Sequence, residues 1–333
     1  MGQHLGRGGG KHLLEGDRRG QEDFALFEIV CFALSCCSDC MNNSEETHDE
    51  YDDRVVYHHD EHHKKGQESQ HRHKSDIRHA HNDPNMVKIQ NGDTTVNLPF
   101  KYVHRGIGCV VMTHGLGAKN PRVKTHENDE WLNDVIIPAV ETSGSIDYCA
   151  YTARGHGDST GWETTGEVDG DQFTWKRLGH DMLDVASYLG ISSFVSAGSS
   201  QGSATALFAA MYDPTRVKAV IMLRPPSAWN RKPQKKLESA EKCRERHPDE
   251  MNYLCLKGTA YSDLPPRSDP SYAALKQKVL ILTVEGDVAH PVSTAKELNS
   301  LLPDSSLHIA ASPEDAVRDW PGVIQTFLAT VKM

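Results

Sequence analysis

The sequence predicts an α/β fold, a mainly parallel sheet with helices on both faces and a short inserted cap. Three observations carry this. From residue 86 onward, apolar runs of strand length alternate with segments whose apolar residues recur at three- and four-residue spacings. Several of the apolar runs end in glycine-rich turns, at 114–117, 154–159 and 198–202. One stretch, 230–272, breaks the rhythm: it is charged, proline-bearing and mostly polar, as an inserted cap would be.

Taken in order, runs 86–90 and 94–98 flank Asn91-Gly92-Asp93, which reads as a hairpin turn. An apolar strand at 108–113 ends at His114-Gly115-Leu116-Gly117. Asp129 is placed to cap a helix running to about residue 142, with Gly144 as its stop. Residues 146–151 read as a strand that meets Arg154-Gly155-His156-Gly157-Asp158-Ser159. In the next helix Trp175, Leu178, Met182, Val185 and Leu189 form one apolar face. Strand 193–197 leads into an alanine-rich helix ending near Tyr212, and 217–223 is another buried strand. Beyond the cap, strand 279–284, helix 294–302, strand 306–310 and helix 314–331 resume the alternation.

The 85 residues before this domain differ in kind. They are polar, lack sustained periodicity and read as a disordered tail, residues 1–85, behind an ordered domain at 86–333. Nine of the nineteen histidines fall within 41–85, and Cys37 and Cys40 form a C-x-x-C pair upstream. A zinc site is the sharp reading. The gap from Cys40 to His58 is too long for a two-Cys, two-His finger, and few apolar residues lie between to pack one. The tail is therefore read as a solvated segment that binds metals weakly, and no metal site is assigned.

A formal net charge of −10 without a basic patch excludes a nucleic-acid partner. Cys109 and Cys149 lie in buried strand-like runs, which fits free thiols in a reducing compartment and a cytoplasmic location. Against that stands one apolar stretch at 24–37, which resembles a signal-peptide core but starts late and contains Glu28. It is too short to span a bilayer, so no stable membrane anchor is expected.

Open α/β sheets gather their chemistry outside the carboxyl ends of the strands. The loops of interest therefore begin at His114, Arg154, Gly198, Arg224, Glu285 and Ala311. Among them, Gly198-Ser199-Ser200-Gln201-Gly202 is a G-x-S-x-G pentapeptide between a strand and a helix. A chain that turns so sharply strains its apex and needs small residues two before and two after it. That register selects Ser200 over Ser199, which would need a small residue where Gln201 stands.

These three turns resemble the α/β-hydrolase family in order and spacing across about residues 90–330. His114-Gly115-Leu116-Gly117 is similar to its HG oxyanion loop, 154–159 to its R-G-H-G-x-S turn and 198–202 to its nucleophile elbow. The resemblance implies an α/β-hydrolase fold with Ser200 as nucleophile and the backbone amides of Leu116 and Gln201 as oxyanion donors. It also implies a carboxylate after the strand at 279–284, where Asp287 falls at the expected position and Glu285 is the rival closer to the strand. His114 is read as a loop histidine with local hydrogen bonds.

The family's histidine position is empty: 311–315 contains none, nor does anything beyond. His308 comes earlier, inside a strand, where alternation puts it on a packed face as a structural residue. His290, three residues after Asp287, is the working base, with His156 or no histidine at all as alternatives. Its difficulty is reach, because in the family's strand order its loop starts two strands from the elbow, roughly 10 Å away. Arg224 is placed either to grip a substrate carboxylate or to pair at the surface, and Trp229 to line a pocket below the cap. The expected activity is hydrolysis of a small ester, thioester or lactone, with a small-molecule substrate and no cofactor. The alternative is a non-catalytic α/β-hydrolase-fold protein that binds a small molecule or a protein in the same pocket.

Overall fold

The structure, a computed structural model, describes residues 85–91, 94–117, 121–160, 170–246 and 250–333. The histidine-rich tail, the apolar stretch at 24–37 and the tip of the first hairpin lie outside them.

Eight strands form one sheet in the order β1-β2-β4-β3-β5-β6-β7-β8. Strands β1 (Met86–Asn91) and β2 (Thr94–Val103) pair antiparallel as the hairpin sequence predicts. β2 is longer than expected, because after Pro99 it leaves β1 and pairs antiparallel with β4 (Asp147–Tyr151). Proline has no N–H to give a ladder, and it sits where the strand changes partner. Strands β3 (Cys109–Thr113), β4, β5 (Phe194–Ser199), β6 (Val217–Leu223), β7 (Lys278–Val284) and β8 (Ser305–Ala310) are all parallel.

The parallel strands are apolar on both sides, and alternation sends successive residues to two cores. In β6, Val220 and Met222 join one core while Ala219, Ile221 and Leu223 join the other. Helices α2 (Trp175–Tyr188), α3 (Gln201–Tyr212) and α7 (Val292–Leu301) supply the first core. Helices α1 (Ile137–Thr142) and α8 (Pro313–Leu328) supply the second. The predicted apolar face of α2 is buried at Trp175, Leu178, Met182 and Val185, and the Thr174 hydroxyl caps its start by accepting from the Arg177 amide.

The helix expected from Asp129 forms over 130–142, with a π turn, Leu132–Ile136, ahead of α1, where Pro138 carries no N–H to continue a regular ladder. One expectation is corrected. His308 is exposed rather than packed, because β8 is the edge strand of the sheet and neither of its faces is fully covered at that position.

The expected cap is helical, built from α4 (Pro233–Arg246) and α5 (Glu250–Tyr261), with the short α6 (Pro270–Ala274) leading back to β7. Met251, Leu254 and Cys255 of α5 join the first core, which seats the cap on the carboxyl ends of the strands. Cys109, Cys149, Cys243 and Cys255 are buried, and none is in a disulfide among the described residues. Among the described residues, no helix is long and apolar enough to cross a membrane.

Candidate active site

The elbow forms as the sequence requires. Ser200 takes φ 53° and ψ −117°, a strained conformation for a residue with a side chain. Its amide donates to the Leu223 carbonyl at 2.8 Å, which ties the apex to β6. A side chain at Gly198 would collide with the Gly202 backbone, and one at Gly202 would collide with the Thr113 and His114 carbonyls. Both glycines are therefore fixed by close backbone approach.

His290 reaches Ser200. Its Nε2 lies 2.8 Å from the Ser200 Oγ, and its Nδ1 lies 2.8 Å from Asp287 Oδ2. Although β6 separates β5 from β7, the turn after β7 folds inward. Asp287 Oδ1 accepts the amides of Ala289 and His290, the Ser227 amide donates to the Ala289 carbonyl, and the Thr283 hydroxyl donates to the His290 carbonyl. These bonds fold 287–290 into a compact turn whose imidazole crosses the end of β6. The rival Glu285 is exposed on the same loop.

The electrostatics fit a base and its orienting acid. Burial lowers the His290 pKa, the Arg224 charge lowers it further, and Asp287 opposes them, so the ring is neutral at neutral pH. For Asp287 burial acts upward, but bonds and charge from His290 and Arg224 override it and hold the carboxyl well below the usual range. With Asp287 ionised, His290 Nδ1 is the donor to it, which leaves Nε2 free to accept from the Ser200 hydroxyl.

Arg224 pairs with Asp287. Its Nε and Nη2 donate to Asp287 Oδ2 at 2.9 and 2.6 Å, and its guanidinium lies over the Trp131 ring, 4.5 Å from the centroid. Sequence reasoning saw a cation at the end of β6 but not the anion facing it, because the partner comes from the next loop. Trp229 is half-buried, with its indole N–H on the Pro265 carbonyl and the Arg267 guanidinium over its ring. It lines a cavity of about 930 Å³ together with Trp175, Tyr261 and Arg267, but Ser200, Asp287 and His290 are not in that wall.

The loop after β3 passes beside Ser200, since a Cβ on Gly115 would stand 3.4 Å from the Ser200 Cβ. The Gly115 amide donates to Asp129 Oδ2, and the Leu116 carbonyl is met by His156 Nε2 at 2.9 Å. Among the described residues the Leu116 amide has no acceptor. Gln201 is the first residue of α3, where an N–H has no partner within the helix. Asp129 was expected only as a helix cap. It accepts the Leu132 amide and also holds this loop, a contact that no local sequence pattern announces.

His156 has Nδ1 against the Arg154 carbonyl and Nε2 against the Leu116 carbonyl, so neither nitrogen is directed at Ser200. His114 makes one local bond, Nδ1–H to the Gly115 carbonyl, and one to the loop after β4, where its Nε2 accepts from the Ala153 amide. Arg154 is fully buried in a two-bond ion pair with Asp181, both contacts 2.7 Å, and so anchors the turn at 154–159. Among the described residues, no cluster of His, Cys, Asp or Glu is arranged to hold a metal ion.

Residues 108–275 match the family model for the alpha/beta hydrolase fold. No curated protein matches the chain. Many solved structures share the fold, among them an esterase from Exiguobacterium antarcticum, at 13% identity and TM-score 0.56 over 73% of this chain and 99% of that one. Another is the enol-lactonase from Burkholderia xenovorans, at 16% identity and TM-score 0.53 over 70% and 95%. A third is the 2-hydroxy-6-oxo-6-phenylhexa-2,4-dienoate hydrolase from a Rhodococcus species, at 16% identity and TM-score 0.53 over 73% and 97%. At such identities these neighbours speak for the fold alone. The family match covers half of the chain, and the parallel sheet, the strained elbow and the strand order agree with it: this chain belongs to the α/β-hydrolase fold family.

Proposed function

We propose that the protein is a serine hydrolase acting on a small ester, thioester or lactone. The observation that carries this is the position of His290, 2.8 Å from both the Ser200 hydroxyl and the Asp287 carboxylate. Ser200 Oγ attacks the carbonyl carbon as His290 Nε2 takes its proton. The carbonyl oxygen becomes an oxyanion, which the amides of Leu116 and Gln201 hold. Asp287 orients the ring and stabilises the imidazolium. His290 then returns the proton to the leaving alkoxide or thiolate, the acyl group stays on Ser200, and a water activated by the same imidazole releases the acid. This sequence needs no cofactor.

The alternative, a non-catalytic binding protein on this fold, drew its support from the empty histidine position after β8. An imidazole on the β7 turn removes that support. Labelling with a fluorophosphonate tests the reading: the native protein should react at one serine, and Ser200→Ala should not. Equal labelling of the two proteins, or none of either, overturns it.

A further inference from the structure

The loop that carries the Leu116 amide is held by a buried acid, and a lysine balances that acid. Asp129 Oδ2 accepts the Gly115 amide and Oδ1 accepts the Leu132 amide, both at 3.1 Å. The carboxylate thereby ties the loop after β3 to the helix over 130–142. Further along the loop, His156 Nε2 meets the Leu116 carbonyl at 2.9 Å. Asp129 is also close to Ser200: a Cβ on Gly115 would stand 3.6 Å from Asp129 Oδ2 and 3.4 Å from the Ser200 Cβ.

This position has an electrostatic cost. An oxyanion forming on the amides of Leu116 and Gln201 builds negative charge beside a buried carboxylate. At separations of about 7–10 Å and an effective dielectric of about 20, such repulsion slows a reaction by a factor of roughly ten to fifty. Lys124 stands where the offsetting charge is needed. Its Nζ lies 3.3 Å from Asp129 Oδ2, and with side-chain exposures of 18% and 3% the pair is little screened by water. The same Nζ lies 3.3 Å from Glu130 Oε2 and donates to the Asn128 carbonyl at 3.1 Å. The Glu130 side chain is 49% exposed, so solvent screens its charge.

We infer that Asp129 is a positioning residue for the oxyanion-binding loop and that Lys124 neutralises it, so that the carboxylate holds the loop without opposing the charge that develops on the substrate oxygen. The inference rests on the serine-hydrolase reading and deepens it. Neither residue has to touch the substrate, because Asp129 acts through Gly115 and Lys124 through Asp129.

Removing the two charges separately and together tests it, with folding checked by circular dichroism. Lys124→Met leaves the carboxylate without its counter-charge, so kcat for p-nitrophenyl butyrate should fall about tenfold with KM little changed. Inhibition by octyl trifluoromethyl ketone should weaken by the same factor, because Ser200 Oγ adds to the ketone carbon, His290 takes the proton and the ketone oxygen becomes the anion. Lys124→Arg should recover most of both losses. Asp129→Asn alone should be slow, since an amide holds the Gly115 and Leu132 amides less well. Yet Lys124→Met with Asp129→Asn should be faster than Lys124→Met, because the unbalanced charge is gone. If Asp129→Asn does not fold, Lys124→Met and Lys124→Arg decide alone. Glu130→Gln, which removes only the exposed acid from the same lysine, should stay within about twofold of the native rate. Losses that simply multiply in the double variant overturn the inference, and an equal loss in Glu130→Gln overturns the assignment to Asp129. If the native protein labels at Ser200 and Lys124→Met matches it in kcat and ketone inhibition, this inference alone fails. If the native protein neither labels at Ser200 nor binds the ketone, the hydrolase reading fails and the inference falls with it.

Discussion

Arg224 and Asp287 share one oxygen with the candidate base: the guanidinium places two hydrogen bonds on Asp287 Oδ2, the atom that also accepts from His290 Nδ1. The cation therefore draws on the charge that would otherwise stabilise an imidazolium. Burial is the larger cause of the lowered His290 pKa, and Arg224 adds to it. Arg224 also fixes the carboxylate in place and takes φ 50° to do so. In the proposed mechanism it is a positioning residue whose charge tunes the base.

The sign of its effect on pH dependence follows. A general base works when neutral, so kcat/KM should fall as pH drops through the His290 pKa, with the acid limb below the ordinary value of 6.5. Arg224→Gln removes a nearby positive charge and should move that limb to higher pH. A pH profile of p-nitrophenyl ester hydrolysis reads it. A limb that stays fixed or moves down would show that Arg224 does not act on the base.

Removing the members of the proposed triad should be graded. His290→Ala should lower kcat by about a millionfold, because the serine loses its base. Asp287→Asn should cost roughly ten-thousandfold, because an amide cannot select the tautomer that leaves Nε2 free. Burst and steady-state kinetics on an activated ester check both. A loss of only tenfold in His290→Ala would mean that the 2.8 Å contact is structural.

Gly202→Ala tests the elbow apart from chemistry. The new Cβ would meet the carbonyl oxygens of Thr113 and His114, which belong to the sheet and to the loop after β3 and cannot swing aside. Overpacking of this kind costs about 1–3 kcal/mol, measurable by urea unfolding. Gly144→Ala is a contrast: its Cβ would meet nothing within 4 Å, and its penalty should come only from the positive φ of 75°.

The sequence made the elbow, the sheet and the position of Asp287 legible because each depends on local pattern: small residues around Ser200, alternating apolar runs, a carboxylate just past β7. His308 was misread because alternation reports a strand's faces but not whether that strand lies at the edge of the sheet. Arg224 was left between two readings, a grip on substrate and an ion pair, because its partner comes from a different loop, and pairing across loops has no signature in one sequence. His290 was the closest case. Its spacing from Asp287 could be read directly, but whether the ring reached Ser200 depended on bonds from Ser227 and Thr283 that fold the turn inward.

Thr259→Val probes a side-chain hydrogen bond that joins the cap to Gln201, the residue after Ser200. The Thr259 hydroxyl donates to Gln201 Oε1 at 2.9 Å, and both residues are buried. Valine keeps the shape but leaves the amide oxygen without its donor, a loss of about 1–3 kcal/mol in unfolding free energy. Because the Thr259 carbonyl also receives Arg231, loosening α5 should disturb the cation more than the nucleophile. The expected kinetic result is a raised KM with little change in kcat, since Ser200, His290 and Asp287 keep their own bonds. Amide hydrogen exchange should quicken along α5 and stay slow along α3, which is packed against the sheet throughout its length. Equal stability in Thr259→Val and the native protein would show that the cap is held by the apolar contacts of Met251, Leu254 and Cys255 instead, and that the Gln201 side chain finds another donor.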